Sequence, residues 1–309
     1  MVDLGGAEER ERSFENAIAS RYNRDYHEPP LMRWHSENFV KYVARHYVPG
    51  DRVLDLGCGP ASLWDHFREV LADPGALVGV DLADGMIDEA KRLCPNGDFR
   101  VGSMFSIPAD TGEFDIVVVS SAFHHVPDES LPLALREIHR VLDEHGKLIG
   151  REPLAKGRVG DRGGYLATAL MCLRHLVYRL THTREYPEPD IGPVHHAYEP
   201  KEFTELISSA FTLVEVEFRN PVSLFFARAK HPTAVAIGKL LDEAAGHKEG
   251  QEIHYLAAKN YTSAADVKHA VRCALEENRL DDIPAFLALV EAAAMRIEAE
   301  LGSREESQL

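Results

Sequence analysis

RVLDLGCGPASLWDHF, residues 52–67, is a short apolar run that reaches an acid, Asp55, crosses two glycines, Gly57 and Gly59, and continues into a helical pattern. A glycine turn after a strand lets a ligand approach the backbone closely and offers it the start of the next helix. The dinucleotide fingerprint G-x-G-x-x-G needs a third glycine at position 62, where Ser62 stands. An acid just before the turn also opposes a pyrophosphate and favours an ammonium group. About 20 residues beyond the glycines, Asp81 ends the strand pattern of VGVDLADGM, the place from which a carboxylate takes hydrogen bonds from ribose hydroxyls. An adenosine joined to a cationic amino acid meets both requirements.

Outward from this stretch, strand-like and helix-like patterns alternate. VLDLG is followed by a helical stretch over 63–71, then ALVGVDL, a helix over 86–93, FRVGS and FDIVVVSS; a helix over 130–142 and the strand GKLIGRE complete the series. Apolar, β-rich runs separated by helices predict a mostly parallel, doubly wound α/β sheet covered on both faces. The reading divides the chain into an N-terminal helical segment (1–44), a ligand-binding α/β domain (45–230) with an insertion at 153–198, and a C-terminal helical extension (231–309).

The insertion carries YLATALMCLRHLVYRL, with Leu166, Leu170, Leu173, Val177 and Leu180 on one helical stripe, and then the turn YPEPD. Segments this long inside a domain are commonly functional covers. TLVEVEF and VSLFFARA, joined by Asn220-Pro221, read as a hairpin that makes the last strand antiparallel. From His231 onward the chain reads as helical. There Ile283, Phe286, Leu287, Val290, Ala294, Ile297 and Leu301 form a stripe suited to pack on the core, on the cover, or on a second copy of the chain as a homo-oligomer.

A net charge of −16 over 309 residues opposes a phosphate backbone, which argues against nucleic acid as partner. No apolar stretch approaches the roughly 20 residues of a membrane span, and the polar start MVDLGGAEERERSF is not a signal peptide core, so a cytoplasmic protein with no membrane partner is expected. Four cysteines, Cys58, Cys94, Cys172 and Cys273, lie far apart with no C-x-x-C pair. His124-His125 and His195-His196 lack metal-ligand spacing, so no metal is expected.

DLGCGPA (55–61), VGVDLADGMIDEAK (78–91), FDIVVVSSAFHHVPD (114–128) and LREIHRVLDEHGKLIGRE (135–152), in this order and spacing, resemble the class I S-adenosylmethionine-dependent methyltransferases, in particular the small-molecule branch that includes the ubiquinone and menaquinone methylases. The resemblance covers residues 45–155 and implies a Rossmann-like, seven-stranded sheet and S-adenosyl-L-methionine as cofactor. It implies that Gly57 and Gly59 face the methionine part, with Asp55 near its amino group, and that Asp81 takes the ribose hydroxyls. Leu82 and Met86 are then apolar neighbours of the adenosine. Where this family often has Gly-Asp-Ala, the chain has Gly102-Ser103-Met104, with Ser103 left to accept a hydrogen bond from adenine, and Ser120 to His125 close over the cofactor. Each acid also has a plainer use as a cap for the helix after it.

Transfer from a sulfonium is an in-line displacement governed by positioning, and a hydroxyl or ammonium acceptor also needs a base. His195 and His196, where the chain returns from the insertion, are the expected candidates. Tyr22, Tyr26, Arg33 and Trp34 are expected over the cofactor. The expected reaction is methyl transfer to a small, partly apolar acceptor, with oxygen favoured over nitrogen or carbon. The alternative is a cofactor-binding, inactive partner subunit.

Overall fold

A computed structural model describes residues 4–71, 77–154, 198–219, 232–245 and 252–259. Seven strands form one sheet: β1 (Val53–Leu56), β2 (Leu77–Asp81), β3 (Asp98–Val101), β4 (Phe114–Ser120), β5 (Leu142–Pro153), β6 (Thr212–Arg219) and β7 (Glu252–Ala258). Their order is β3-β2-β1-β4-β5-β7-β6. The first five are parallel, and β7 runs antiparallel between β5 and β6. The chain order reverses between β1 and β4, so the strand ends there open onto a crevice, the usual ligand position in such a sheet.

Alternate residues of the central strands enter opposite faces. Leu54, Leu56, Val117 and Val119 pack with Leu135 and Ile138 of α5 (Leu131–Val141) and with Phe203 and Ile207 of α6 (Pro200–Ser208). Val53, Ile116 and Val118 pack with Phe39 and Val43 of α2 (Pro30–Ala44), Trp64 and Phe67 of α3 (Trp64–Val70), and Ile87 of α4 (Asp84–Leu93). Each fully buried apolar side chain of this kind contributes about 1.5–3 kcal/mol.

α1 (Leu4–Tyr22) packs Ile18 and Ala19 on Ala83 and Met86 at the start of α4. Polar contacts fix it there: Arg12 Nε donates to the Leu82 carbonyl at 3.3 Å, Asn16 Nδ2 donates to Asp84 at 2.9 Å, and Gly85 N donates to Asn16 Oδ1 at 2.7 Å.

Glu252–Ala258 corrects the helical reading of the stretch beyond His231, which does begin with a helix, α7 (Pro232–Ala245). The antiparallel partner of TLVEVEF is this strand, and all seven of its residues are buried. VSLFFARA, the apolar stripe of the insertion and the C-terminal stripe lie outside the described residues. The insertion is bracketed by a parallel bridge between Leu154 and Tyr198, and the fully buried Tyr198 donates its hydroxyl to the Phe123 carbonyl at 3.1 Å. No described helix is long and apolar enough to cross a membrane.

Candidate active site

A cavity of about 870 Å³, its open mouth included, lies at the end of β1, β2 and β4 under α1. Its wall includes Gly57, Gly59, Asp81, Leu82, Met86, Met104 and Ser120, and α1 adds Glu8, Glu11, Glu15 and Tyr22.

The glycine turn explains what the cavity accepts. Gly57 and Gly59 adopt φ of +75° and +51°, open to glycine at little cost, and a Cβ on Gly57 would stand 2.8 Å from that of Ala122. The N–H groups of Gly57 and Cys58 donate to the Val80 carbonyl at 2.8 and 3.1 Å, and that of Gly59 donates to Asp81 Oδ2 at 2.8 Å. All three are therefore spent inside the protein. A phosphate cradle needs such donors turned toward the ligand. This turn instead allows close approach without offering them, which disfavours a nicotinamide dinucleotide.

Asp81 ties the turn to the next helix, because its Oδ1 also accepts from Ala83 N at 2.9 Å. Each carboxylate oxygen keeps acceptor capacity toward the cavity. Desolvation raises the Asp81 carboxyl above its usual range, opposed by these two backbone donors.

Asp55 lies beneath the turn, 1% exposed and off the cavity wall. Its Oδ2 accepts from Trp64 Nε1 at 3.1 Å, while Oδ1 has no hydrogen-bond partner among the described residues. Burial pushes this carboxyl up to about 7, with the Trp64 bond opposing. An acid whose pKa is higher folded than unfolded holds extra protons in the folded state, so its contribution to stability falls as pH rises between the two values. Without ligand, Asp55→Asn is therefore expected to gain stability relative to wild type as pH rises from about 4 to about 7. The gain reaches at most about 1.4 kcal/mol per pH unit. Urea midpoints of both proteins at pH 5 and pH 8 measure it.

Ser103 is occupied differently from the expectation. Its hydroxyl donates to Glu8 and accepts from Phe105 N at 2.9 Å, so a carboxylate of α1 comes to this end of the cavity. The Ser120 hydroxyl accepts from Arg151 Nε at 2.8 Å. Of the aromatic N-terminal stretch, Tyr22 reaches the cavity wall, whereas Trp34 lies under the ammonium of Lys239, 5.4 Å from its ring centre.

After β4 the chain turns at Ser121, a non-glycine residue at φ +56°. Glu152, fully buried on β5, holds the turn by accepting from Ala122 N and Phe123 N at 2.9 Å each, and His124 Nδ1 lies 2.9 Å from its other oxygen. That leaves His125 toward the cavity, its Nδ1 2.8 Å from Glu11 Oε1. The Glu11 carboxylate raises the His125 pKa despite the opposing effect of burial. Glu15 is pushed up to about 7, first by desolvation, with Asp81 and Glu11 adding to the rise and His125 opposing it. Glu11, Glu15 and His125 bring donor atoms within 4.8 Å of one another. Sequence reasoning missed the α1 acids because acids on a polar helix resemble a solvated face. His195 and His196 lie outside the described residues.

These residues fit the cofactor expected from the sequence. Glycines that permit close approach and a carboxylate at the end of β2 can serve a methionine chain and a ribose diol, and Leu82, Met86 and Met104 offer apolar surface to a base, while Asp55, off the wall, acts only through its charge from beneath the turn.

Residues 53–146 match the methyltransferase domain family. A demethylmenaquinone methyltransferase of Symbiobacterium thermophilum is 32% identical over 124 residues, 38% of this chain and 47% of that protein. Aklanonic acid methyltransferase of Streptomyces sp. (strain C5) is 31% identical over 112 residues, 35% of this chain and 50% of that protein. The chain thus spans about half the length of the curated relatives it matches. Among solved structures, a possible histamine N-methyltransferase of Thermotoga maritima superposes with a TM-score of 0.52 at 14% identity, over 81% of this chain and 99% of that one, which shows a shared fold. Residues 53–146 of this chain therefore match a methyltransferase domain, and the sheet that carries them shares its fold with a solved S-adenosylmethionine-dependent methyltransferase.

Proposed function

We propose that the chain transfers a methyl group from S-adenosylmethionine to a small, partly apolar acceptor, with oxygen ahead of nitrogen or carbon as the methylated atom. The observation that carries this reading is one cavity with two characters: Gly57, Gly59, Asp81 and Ser120 at its polar part, and Met104, Phe105 and Val126 on apolar wall. The relatives named for demethylmenaquinone and aklanonic acid support a small-molecule acceptor.

When bound, the cofactor supplies an electrophilic methyl on a sulfonium. The chain's part is to hold and align. In this reading Asp81 takes the ribose hydroxyls, Asp55 draws the amino group toward the glycine turn, and Leu82 and Met86 flank the adenosine. His125, held by Glu11, accepts the proton of a hydroxyl acceptor, a role the sequence assigned to His195 or His196. Histidine suits this task because its ionisation lies near neutral pH.

Calorimetry with S-adenosylmethionine and with NAD tests the cofactor, and transfer of radiolabelled methyl into an extract of small metabolites tests the reaction. Binding of the first ligand alone and label in a small molecule are expected. Binding without label would favour the inactive partner subunit. Once an acceptor is known, His125→Ala is expected to slow transfer by about 10²–10⁴-fold, the usual effect of removing a general base. His195→Ala and His196→Ala, assayed in parallel, separate the three candidates, and unchanged turnover in all three points to a carbon nucleophile or an acceptor already ionised.

A further inference from the structure

The cavity wall carries more negative charge than its own groups neutralise. Glu8, Glu11, Glu15 and Asp81 line it, and among the described residues His125 is the one basic side chain there, with neither lysine nor arginine contributing. Glu11 is only 7% exposed; His125 lies beside its Oε1, yet its Oε2 accepts no hydrogen bond among the described residues. Glu15 makes neither an ion pair nor a hydrogen bond among them. The two acids sit one helical turn apart on α1, so the clamp of Arg12 and Asn16 onto the start of α4 fixes both over the cavity. Burying uncompensated carboxylates is costly: desolvation raises both Glu15 and Asp81, and the Glu11 carboxylate adds to the rise of each. A cation arriving among them relieves it.

We propose that Glu11 and Glu15, with Asp81, are specificity-determining residues that make this site select the sulfonium form of its cofactor over the uncharged thioether left after transfer. This rests on the cofactor reading above. The sulfur joins the methionine chain to the ribose, so it falls between the glycine turn and Asp81, within the wall that the α1 acids cover. In transfer the carbon–sulfur bond breaks with both electrons staying on sulfur, the acceptor gains the methyl, and its proton passes to a base or to water. The site thereby loses the positive charge that its carboxylates favoured. S-adenosylhomocysteine is then held less tightly than the substrate it replaces, and product inhibition is weak. Interactions between charges a few ångströms apart at a partly buried site are large enough for about a tenfold difference.

Calorimetry on the full chain needs no acceptor. The probes are S-adenosylmethionine, S-adenosylhomocysteine and sinefungin, whose amine places positive charge near the sulfonium position. The two cationic ligands are expected to bind at least about tenfold tighter than S-adenosylhomocysteine. Glu11→Gln and Glu15→Gln should each remove about threefold or more of that advantage while changing S-adenosylhomocysteine affinity less than about twofold, which also shows that the variants fold. Equal or tighter binding of S-adenosylhomocysteine by wild type overturns the proposal and leaves the cofactor reading standing, as does an equal loss for all three ligands in the variants. Binding of none of them overturns the cofactor reading itself, and this one with it. Manganese chloride alone is the last probe. A bound Mn²⁺ signal in electron paramagnetic resonance that disappears in both variants, with the preference erased at millimolar metal, assigns the cluster to a divalent cation and overturns the proposal.

Discussion

Glu152→Ala is expected to destabilise the domain by about 2–6 kcal/mol, because it leaves two buried backbone donors without their acceptor. The substitution strands the Ala122 and Phe123 N–H groups, both bonded to one carboxylate that has no solvent exposure, and removes the oxygen beside His124 Nδ1. Each buried donor left without an acceptor costs about 1–3 kcal/mol. Glu152→Gln keeps the shape and one acceptor oxygen, so it should fall between wild type and alanine. Thermal or urea unfolding with ligand absent measures the series. A loss below about 1 kcal/mol for Glu152→Ala would show that water reaches these groups and that the Ser121 turn is held by something else.

Asp81→Ala is expected to weaken S-adenosylmethionine binding by about 10²-fold or more, since two charge-assisted hydrogen bonds to ribose hydroxyls are worth roughly 1.5–3 kcal/mol each. The same carboxylate also accepts from Gly59 N and Ala83 N, so alanine loosens the glycine turn as well. Asp81→Asn separates the two effects, since its amide oxygen retains one acceptor while the charge is lost. Calorimetry on both variants, with circular dichroism to show that they remain folded, is the measurement. Wild-type affinity in a folded Asp81→Ala protein would remove the ribose assignment.

Much of the arrangement was legible because its causes are local. A strand run ending at Asp55, two glycines that tolerate positive φ and an acid at the end of β2 are set by neighbours within a few residues. Groups whose partners are distant in sequence were hidden. Glu152 meets Ala122 and Phe123 about 30 positions earlier, and Ser103 meets Glu8 across 95 positions. Ala61, in the same turn, adopts φ +59°, where glycine would be at less cost. EIHYLAA was read as helix because helical patterns flank it. Its two polar residues, Glu252 and His254, are held inside the buried strand by each other, with His254 Nε2 2.6 Å from Glu252 Oε1.

The place of β7 between β5 and β6 also constrains how the chain comes into being. The ribosome delivers Glu252 roughly a hundred residues after Pro153, at about 5–20 residues per second. Through the first part of that interval only β5 presents an open edge, and from Arg219 to Glu252 the nascent chain has β5 and β6 made but not joined, each open to any other strand nearby. Closure is then a long-range pairing, slow by its topology. Trimming the gene back to residue 230, where the sequence reading ends the α/β domain, would delete an interior strand and leave both edges exposed for the life of the protein; a stable shortened form must retain residues through Lys259.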